Sequence, residues 1–182
     1  MTQYVLTLGA SNSRSSINAQ LAEYASSLIN GFEIKLIDLN DFEMPIFSVD
    51  RELIDGYPKE AQLFKTLVKG AAGILISFAE HNGSYTAAFK NIIDWVSRIE
   101  GKLWESKPML LLSTSPGSRG GKTVIELAST TFPFMGGHVV GNMAVPLYHD
   151  NVDIKNGIKD PSLQTELLQK IKAFQEIMSE KR

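Results

Sequence analysis

Three observations predict an α/β fold in which a parallel sheet lies between two layers of helices. Apolar runs of period two alternate with stretches of period 3.6 along the whole chain. The middle run, Ala72 to Phe78, is apolar almost without interruption, as a strand covered on both faces should be. No linker, internal repeat or charge block divides the sequence, so residues 1–182 read as a single domain. Strands that alternate with helices are joined by right-handed crossovers, and five of each make a three-layer sandwich.

The first strand is Tyr4 to Leu8, which stops at Gly9 and a serine-rich loop. A helix follows, marked by Ile17, Leu21, Tyr24, Ala25 and Leu28, with Ser15 or Ser16 as its N-cap. Glu33 to Leu39 is the second strand. The segment around Pro45 is the least regular, and Pro58 to Lys69 is a short helix carrying Ala61, Phe64, Leu67 and Val68. After the central strand, Tyr85, Ala88, Phe89, Ile92, Ile93, Val96 and Ile99 form a helical stripe with Asn82 or Ser84 as N-cap. Met109 to Ser113 gives the fourth strand, Lys122 to Phe132 a weaker helix, and His138 to Val145 the fifth strand. Leu163, Leu167, Leu168, Ile171, Phe174 and Met178 mark the last helix, with Pro161 in its tolerant first turn.

Composition removes several function classes. With 18 basic and 20 acidic residues the net charge is −2, which lacks the basic footprint of a nucleic-acid binder. Zero cysteines exclude thiolate metal sites, iron–sulfur clusters and a cysteine nucleophile, so redox chemistry would need a bound cofactor. No resident metal is expected. The first residues show no charged and apolar leader, and no apolar run approaches a membrane span, so a cytoplasmic location is expected.

In open parallel sheets ligands sit beyond the carboxyl ends of the strands, where strand order reverses. The loops after strands one, three and four are therefore the candidates. The first, Gly9-Ala10-Ser11-Asn12-Ser13-Arg14-Ser15-Ser16-Ile17-Asn18, offers hydroxyls, amides and helix N-terminal N–H groups to one anion. It lacks the G-x-G-x-x-G dinucleotide fingerprint and the acidic pocket of a receiver domain. Pro116 to Thr123 (P-G-S-R-G-G-K-T) is one residue from a P-loop, but proline at the first glycine position disfavours nucleotide hydrolysis. The third-strand loop, Glu80-His81-Asn82-Gly83-Ser84, is small and polar between an apolar strand and an apolar helix.

With these loops in view, the chain resembles the NADPH-dependent FMN reductase family of flavodoxin-like quinone-, azo- and chromate-reducing flavoproteins. The carriers are the Gly9 to Asn18 loop, Glu80-His81-Asn82-Gly83-Ser84 with Lys90-Asn91-Ile92-Ile93-Asp94-Trp95, and Ser115-Pro116-Gly117. The resemblance implies sheet order 2-1-3-4-5 and FMN at the switch between strands one and three. It further implies that Ser11, Ser13, Ser16, Ile17 and Asn18 hold the ribityl phosphate. Backbone groups around Ala79, Glu80, His81, Asn82 and Gly83 would face the pyrimidine edge of the ring, and Ser115, Pro116 and Gly117 would flank it. Lys90, Asn91, Asp94 and Trp95 would stabilise the helix and a dimer interface. The family's proline is Ala79 here and its tyrosine is His81, which implies a less rigid loop and a titratable side chain that modulates reactivity.

The function implied is ping-pong hydride transfer from NADPH or NADH to FMN, then to a quinone, azo, nitro, metal-oxyanion or free flavin acceptor. The flavin carries the chemistry, and no side chain is needed as a catalytic nucleophile. A homodimer or dimer of dimers is implied, with Tyr85, Phe89 and Trp95 as the sequence feature that fits an interface. The alternative is an FMN-binding electron carrier without its own NAD(P)H site; the small net charge argues against that.

Overall fold

The computed structural model describes residues 3–153 and 156–180; the other residues of the expected 1–182 domain, Met1 and Thr2 of the N-terminal reading among them, lie outside the described residues. Five parallel strands, β1 (Tyr4–Ala10), β2 (Glu33–Ile37), β3 (Ala71–Phe78), β4 (Pro108–Thr114) and β5 (His138–Val145), form one sheet. Their order is β2-β1-β3-β4-β5, as the resemblance implied. Every pair is parallel.

Alternation along the strands divides the core. Leu6 and Leu8 of β1, Ile74 and Ile76 of β3, and Met109 and Leu111 of β4 face one side, where they meet α3 (Lys59–Gly70), α4 (Ala87–Val96) and α5 (Lys122–Thr131). Val5, Leu75, Leu110 and Leu112 face the other, where they meet α1 (Ile17–Ser27) and α7 (Pro161–Glu180). Each such side chain is fully buried. Burial of one leucine or isoleucine contributes about 1.5–3 kcal/mol, so the two faces hold the sheet far more strongly than strand propensity does.

Two expectations about local structure are corrected. The irregular segment around Pro45 contains α2 (Val49–Asp55), whose N-cap Ser48 accepts from the Arg51 N–H at 3.2 Å and which ends at Gly56. It buries no side chain, so it left no apolar stripe to read. Helix α4 is capped by Thr86, not by Asn82 or Ser84, and its Oγ1 accepts from the Phe89 N–H at 3.2 Å. Asn82 and Gly83 lie instead in left-handed conformations, with φ 53° and 76°. Past β5, the described residues add one turn of helix, α6 (Tyr148–Asn151), and a short antiparallel ladder of β6 (Val152–Asp153) and β7 (Gly157–Ile158) to the predicted five strands and five helices.

Candidate active site

Register brings the three loops to one place. Ala10 pairs with Phe78 and Phe78 with Ser113, so β1, β3 and β4 end on nearly the same rung. Strand order reverses between β1 and β3, the switch point at which sheets of this kind take their ligands.

Beneath the loops lies a set of buried polar side chains. Asn18 is 2% exposed, and its Nδ2 donates to Thr114 O at 3.1 Å while its Oδ1 accepts from Thr114 N at 2.9 Å and from Ser77 Oγ at 2.8 Å. Thr86 Oγ1 donates to Ala10 O, Ser113 Oγ to Gly120 O, and Thr114 Oγ1 to Val145 O. Every loop is thereby fastened to a neighbouring strand end. The signal in the sequence is a hydroxyl residue at the end of an apolar run, as in Ser77, Ser113 and Thr114.

The first loop offers the donors of an anion cradle. Ser16 caps α1 through Ala19 N–H at 3.1 Å, and Ser11 Oγ accepts from Ser13 N–H at 3.2 Å. Among the described residues the first-turn N–H groups of Ile17 and Asn18 have no protein partner, and the hydroxyls of Ser13 and Ser15 are exposed. The Asn18 carboxamide, expected on the phosphate, is spent on Thr114 and Ser77, so only its main-chain N–H faces the cradle. The loop stands between a cavity of about 330 Å³ toward Leu36 to Leu39 and a more open one of about 620 Å³ toward Tyr148 and His149.

The third-strand loop is a hairpin closed by His81 N–H to Ser84 O at 3.0 Å and Ser84 N–H to His81 O at 3.1 Å. Two successive positive φ angles at Asn82-Gly83 are those of a two-residue type I′ turn. The loop is thus closed by two backbone hydrogen bonds of its own, with Ala79 standing where the family has proline. The His81 N–H is committed to the turn, which leaves Asn82 and Gly83 N–H as its outward donors. His81, Asn82 and Gly83 are all exposed.

The fourth-strand loop, Ser115 to Gly117, is held by the segment after β5: Tyr148 N–H donates to Ser115 O and Leu147 N–H to Gly117 O, both at 3.0 Å. The Tyr148 hydroxyl in turn donates to Gln20 on α1. No motif announced this clasp. Pro116 and Gly117 remain exposed.

The Lys90 to Trp95 stretch does different work. Lys90 Nζ pairs with Asp94 at 2.7 Å along the helix. Asn91 Oδ1 accepts from Phe47 N–H at 2.9 Å, its Nδ2 donates to Met44 O and Pro45 O, and Trp95 Nε1 donates to Pro45 O at 2.7 Å. Asn91 and Trp95 thus latch the Pro45 segment onto α4. Tyr85, Phe89 and Trp95 are core residues, buried to 9%, 0% and 1% exposure, so they supply no interface. Burial pushes the Tyr85 phenol up, while its bond to the Thr131 hydroxyl acts the other way.

Among the described residues no three His, Asp or Glu side chains are placed to hold a metal, and no helix is long and apolar enough to cross a membrane. A five-stranded parallel sheet with a serine-capped anion cradle at its switch point defines a flavodoxin-like protein. More narrowly, residues 4–151 match the family model for NADPH-dependent FMN reductase, and the chain belongs to that family.

Its relatives agree. The chain is 32% identical over 165 residues to an uncharacterised protein of Mycoplasma pneumoniae, covering 88% of this chain and 97% of that one. It is 31% identical to the NADPH:quinone oxidoreductase of Arabidopsis thaliana over 68% of this chain and 63% of that protein. With 2-hydroxy-1,4-benzoquinone reductase of Burkholderia sp it shares 35% identity over 59% and 57%. The match therefore spans about three fifths of these two quinone reductases. In fold it is similar to FerB, a flavoenzyme NAD(P)H:(acceptor) oxidoreductase of Paracoccus denitrificans, with TM-score 0.78, 23% identity and 98% of each chain covered.

The family uses FMN with NAD(P)H as reductant, and the residues present fit that cofactor. The N–H groups of this loop that lack a partner and its exposed hydroxyls suit a phosphate monoester, while Glu23, Asp38 and Asp41 line the cavity of about 330 Å³ on one side of it. Outward N–H groups of Asn82 and Gly83 suit the carbonyl-bearing edge of a flavin.

Proposed function

We propose that the chain is an FMN-dependent NAD(P)H oxidoreductase that passes electrons to a small-molecule acceptor, a quinone first among them, in ping-pong order. The observation that supports this reading is the common rung of Ala10, Phe78 and Ser113, from which the three loops start at the same end of the sheet. Bound FMN supplies the hydride and electron chemistry.

The chain's own part is to bind and orient. Ser11, Ser13, Ser16 and the N–H groups of Ile17 and Asn18 hold the phosphate. Asn82 and Gly83 N–H groups, fixed by the turn, meet negative charge at the ring edge without reorganising. Pro116 and Gly117 form the opposing wall, and the exposed site admits reductant and acceptor in turn. Azo, nitro, metal-oxyanion and flavin acceptors are compatible with such an open site. His81, exposed on the hairpin, modulates reactivity and is not an obligatory acid, so His81→Tyr retains turnover.

A homodimer or dimer of dimers belongs to the same proposal. Ile46, Val49, Leu53 and Ile54 support it, standing 76%, 56%, 79% and 80% exposed beside the latched segment. Solution mass tests it. Use of NAD(P)H supports a cytoplasmic location. The electron-carrier alternative is disfavoured by a net charge of only −2, which gives little steering toward a protein partner.

The test is the visible spectrum with added FMN, before and after anaerobic NADPH or NADH. Flavin absorbance that binds and bleaches supports the enzyme. Bound flavin that stays oxidised favours the carrier.

A further inference from the structure

Helix α5 starts without a cap of its own. Its N-cap residue is Gly121, in the left-handed region with φ 78° and ψ 31°, and its first turn holds no acidic residue. The missing acceptor comes from 44 residues earlier in the chain: Oε2 of the half-buried Glu80 accepts from the Val124 N–H at 2.9 Å.

This bond joins the third-strand loop to the helix that follows the fourth-strand loop. Glu80 opens the 81–84 hairpin, whose tip residues His81, Asn82 and Gly83 are exposed, and the His81 and Asn82 side chains make no hydrogen bond among the described residues. Val124 lies in the first turn of α5, which follows directly on the Ser115 to Gly121 loop, itself fixed by Ser113 Oγ on Gly120 O and by the backbone bonds from Leu147 and Tyr148. The hairpin is closed within itself by two backbone hydrogen bonds, but a closed turn still needs a support to set its height and tilt. The Glu80 carboxylate provides that support by reaching across to a helix end that lacks its own cap.

We propose that Glu80 is a positioning residue for FMN: by capping α5 it fixes the Asn82 and Gly83 donors relative to the Ser115 to Gly117 wall, and it does so through its reach and acceptor oxygen. This rests on the flavin-site reading above. Two features of the side chain separate under substitution. Glu80→Gln keeps the reach and a carbonyl oxygen for the Val124 N–H; Glu80→Asp keeps the charge and loses the reach; Glu80→Ala loses both.

The experiment is a titration of each apoprotein with FMN, followed by fluorescence, alongside hydrogen exchange of the Val124 amide and urea unfolding. A wild-type chain that does not bind FMN would overturn the flavin-site reading itself. Given wild-type binding, Glu80→Ala and Glu80→Asp should raise the Kd for FMN roughly tenfold and speed exchange at Val124, in line with loss of one charge-assisted hydrogen bond. Glu80→Gln should restore affinity to within about threefold of wild type, since it retains that acceptor. Faster exchange at Val124 with unchanged Kd in Glu80→Ala or Glu80→Asp would overturn the proposal, leaving Glu80 a helix cap alone. A Kd in Glu80→Gln as high as in Glu80→Asp would overturn it too, because reach and acceptor would then not be what matters. If Glu80→Ala does not fold, the Asp and Gln pair decides.

Discussion

The carboxamide of Asn18 closes a ring on the backbone of Thr114, donating to its carbonyl at 3.1 Å and accepting from its N–H at 2.9 Å, 96 residues away in sequence. Helix α1 and the end of β4 are thereby locked together directly beneath the anion cradle. Because Asn18 Oδ1 also takes the Ser77 hydroxyl, one side chain fixes the ends of β3 and β4 against the first loop.

Asn18→Ala therefore strands two backbone groups and one hydroxyl in a dry site. At about 1–3 kcal/mol for each buried group left unpaired, the expected loss is about 3 kcal/mol of stability once some of them re-pair with water. Urea unfolding measures it, and FMN affinity should fall with it. A loss below about 0.5 kcal/mol, the size expected of an ordinary surface change, would show that the ring is dispensable.

Gly9 and Gly83 should respond differently to alanine. A Cβ on Gly9 would lie 2.4 Å from Ala19 N, so α1 must move, and overpacking of this kind costs about 1–3 kcal/mol or more. At Gly83 the nearest atom is Thr123 Cγ2 at 3.8 Å, and the cost is the left-handed φ of 76°, about 1–2 kcal/mol, confined to the turn. Gly9→Ala should lower both thermal stability and FMN affinity, whereas Gly83→Ala should loosen the hairpin, seen as faster exchange of the His81 and Ser84 amides.

Asn91→Ala should free the Pro45 segment from α4, since it removes three hydrogen bonds to residues 44, 45 and 47. Limited proteolysis should then cut between residues 43 and 57 faster than in wild type. FMN affinity should stay unchanged. A protease pattern identical to wild type would mean that Trp95 and Pro45 hold the segment alone.

Alkaline pH should destabilise the fold. Burial raises the phenol of Tyr85 above its usual value of 10.0, and those of Tyr4 and Tyr148 move the same way. From about pH 10 upward the unfolded chain ionises first, the folded chain holds more protons, and stability falls as pH rises through the folded value. Tyr85→Phe should make that fall shallower. Equal slopes for the two proteins in urea midpoints between about pH 9 and pH 11 would remove Tyr85 as a cause.

The alternation of apolar period was enough to read the parallel sheet and its main helices, because β3 and β4 are buried on both faces and α1, α4 and α7 each carry an apolar stripe. Helix α2 escaped because it buries nothing, and the Asn82-Gly83 turn escaped because it lies between a strand and a helix and not between the two strands that such a dipeptide ordinarily joins. The three candidate loops at the carboxyl end of the sheet were legible from composition and family resemblance. Their supports were not: Asn18 on Thr114, Glu80 on Val124 and Tyr148 on Gln20 span 96, 44 and 128 residues. The sequence by itself determined the period of each element and the residue types in each loop, because those are local properties of the backbone and side chain. Only the tertiary structure decided which polar atoms remain free for a ligand, because a hydrogen-bonding group buried by folding must find its partner wherever the strand register has brought one.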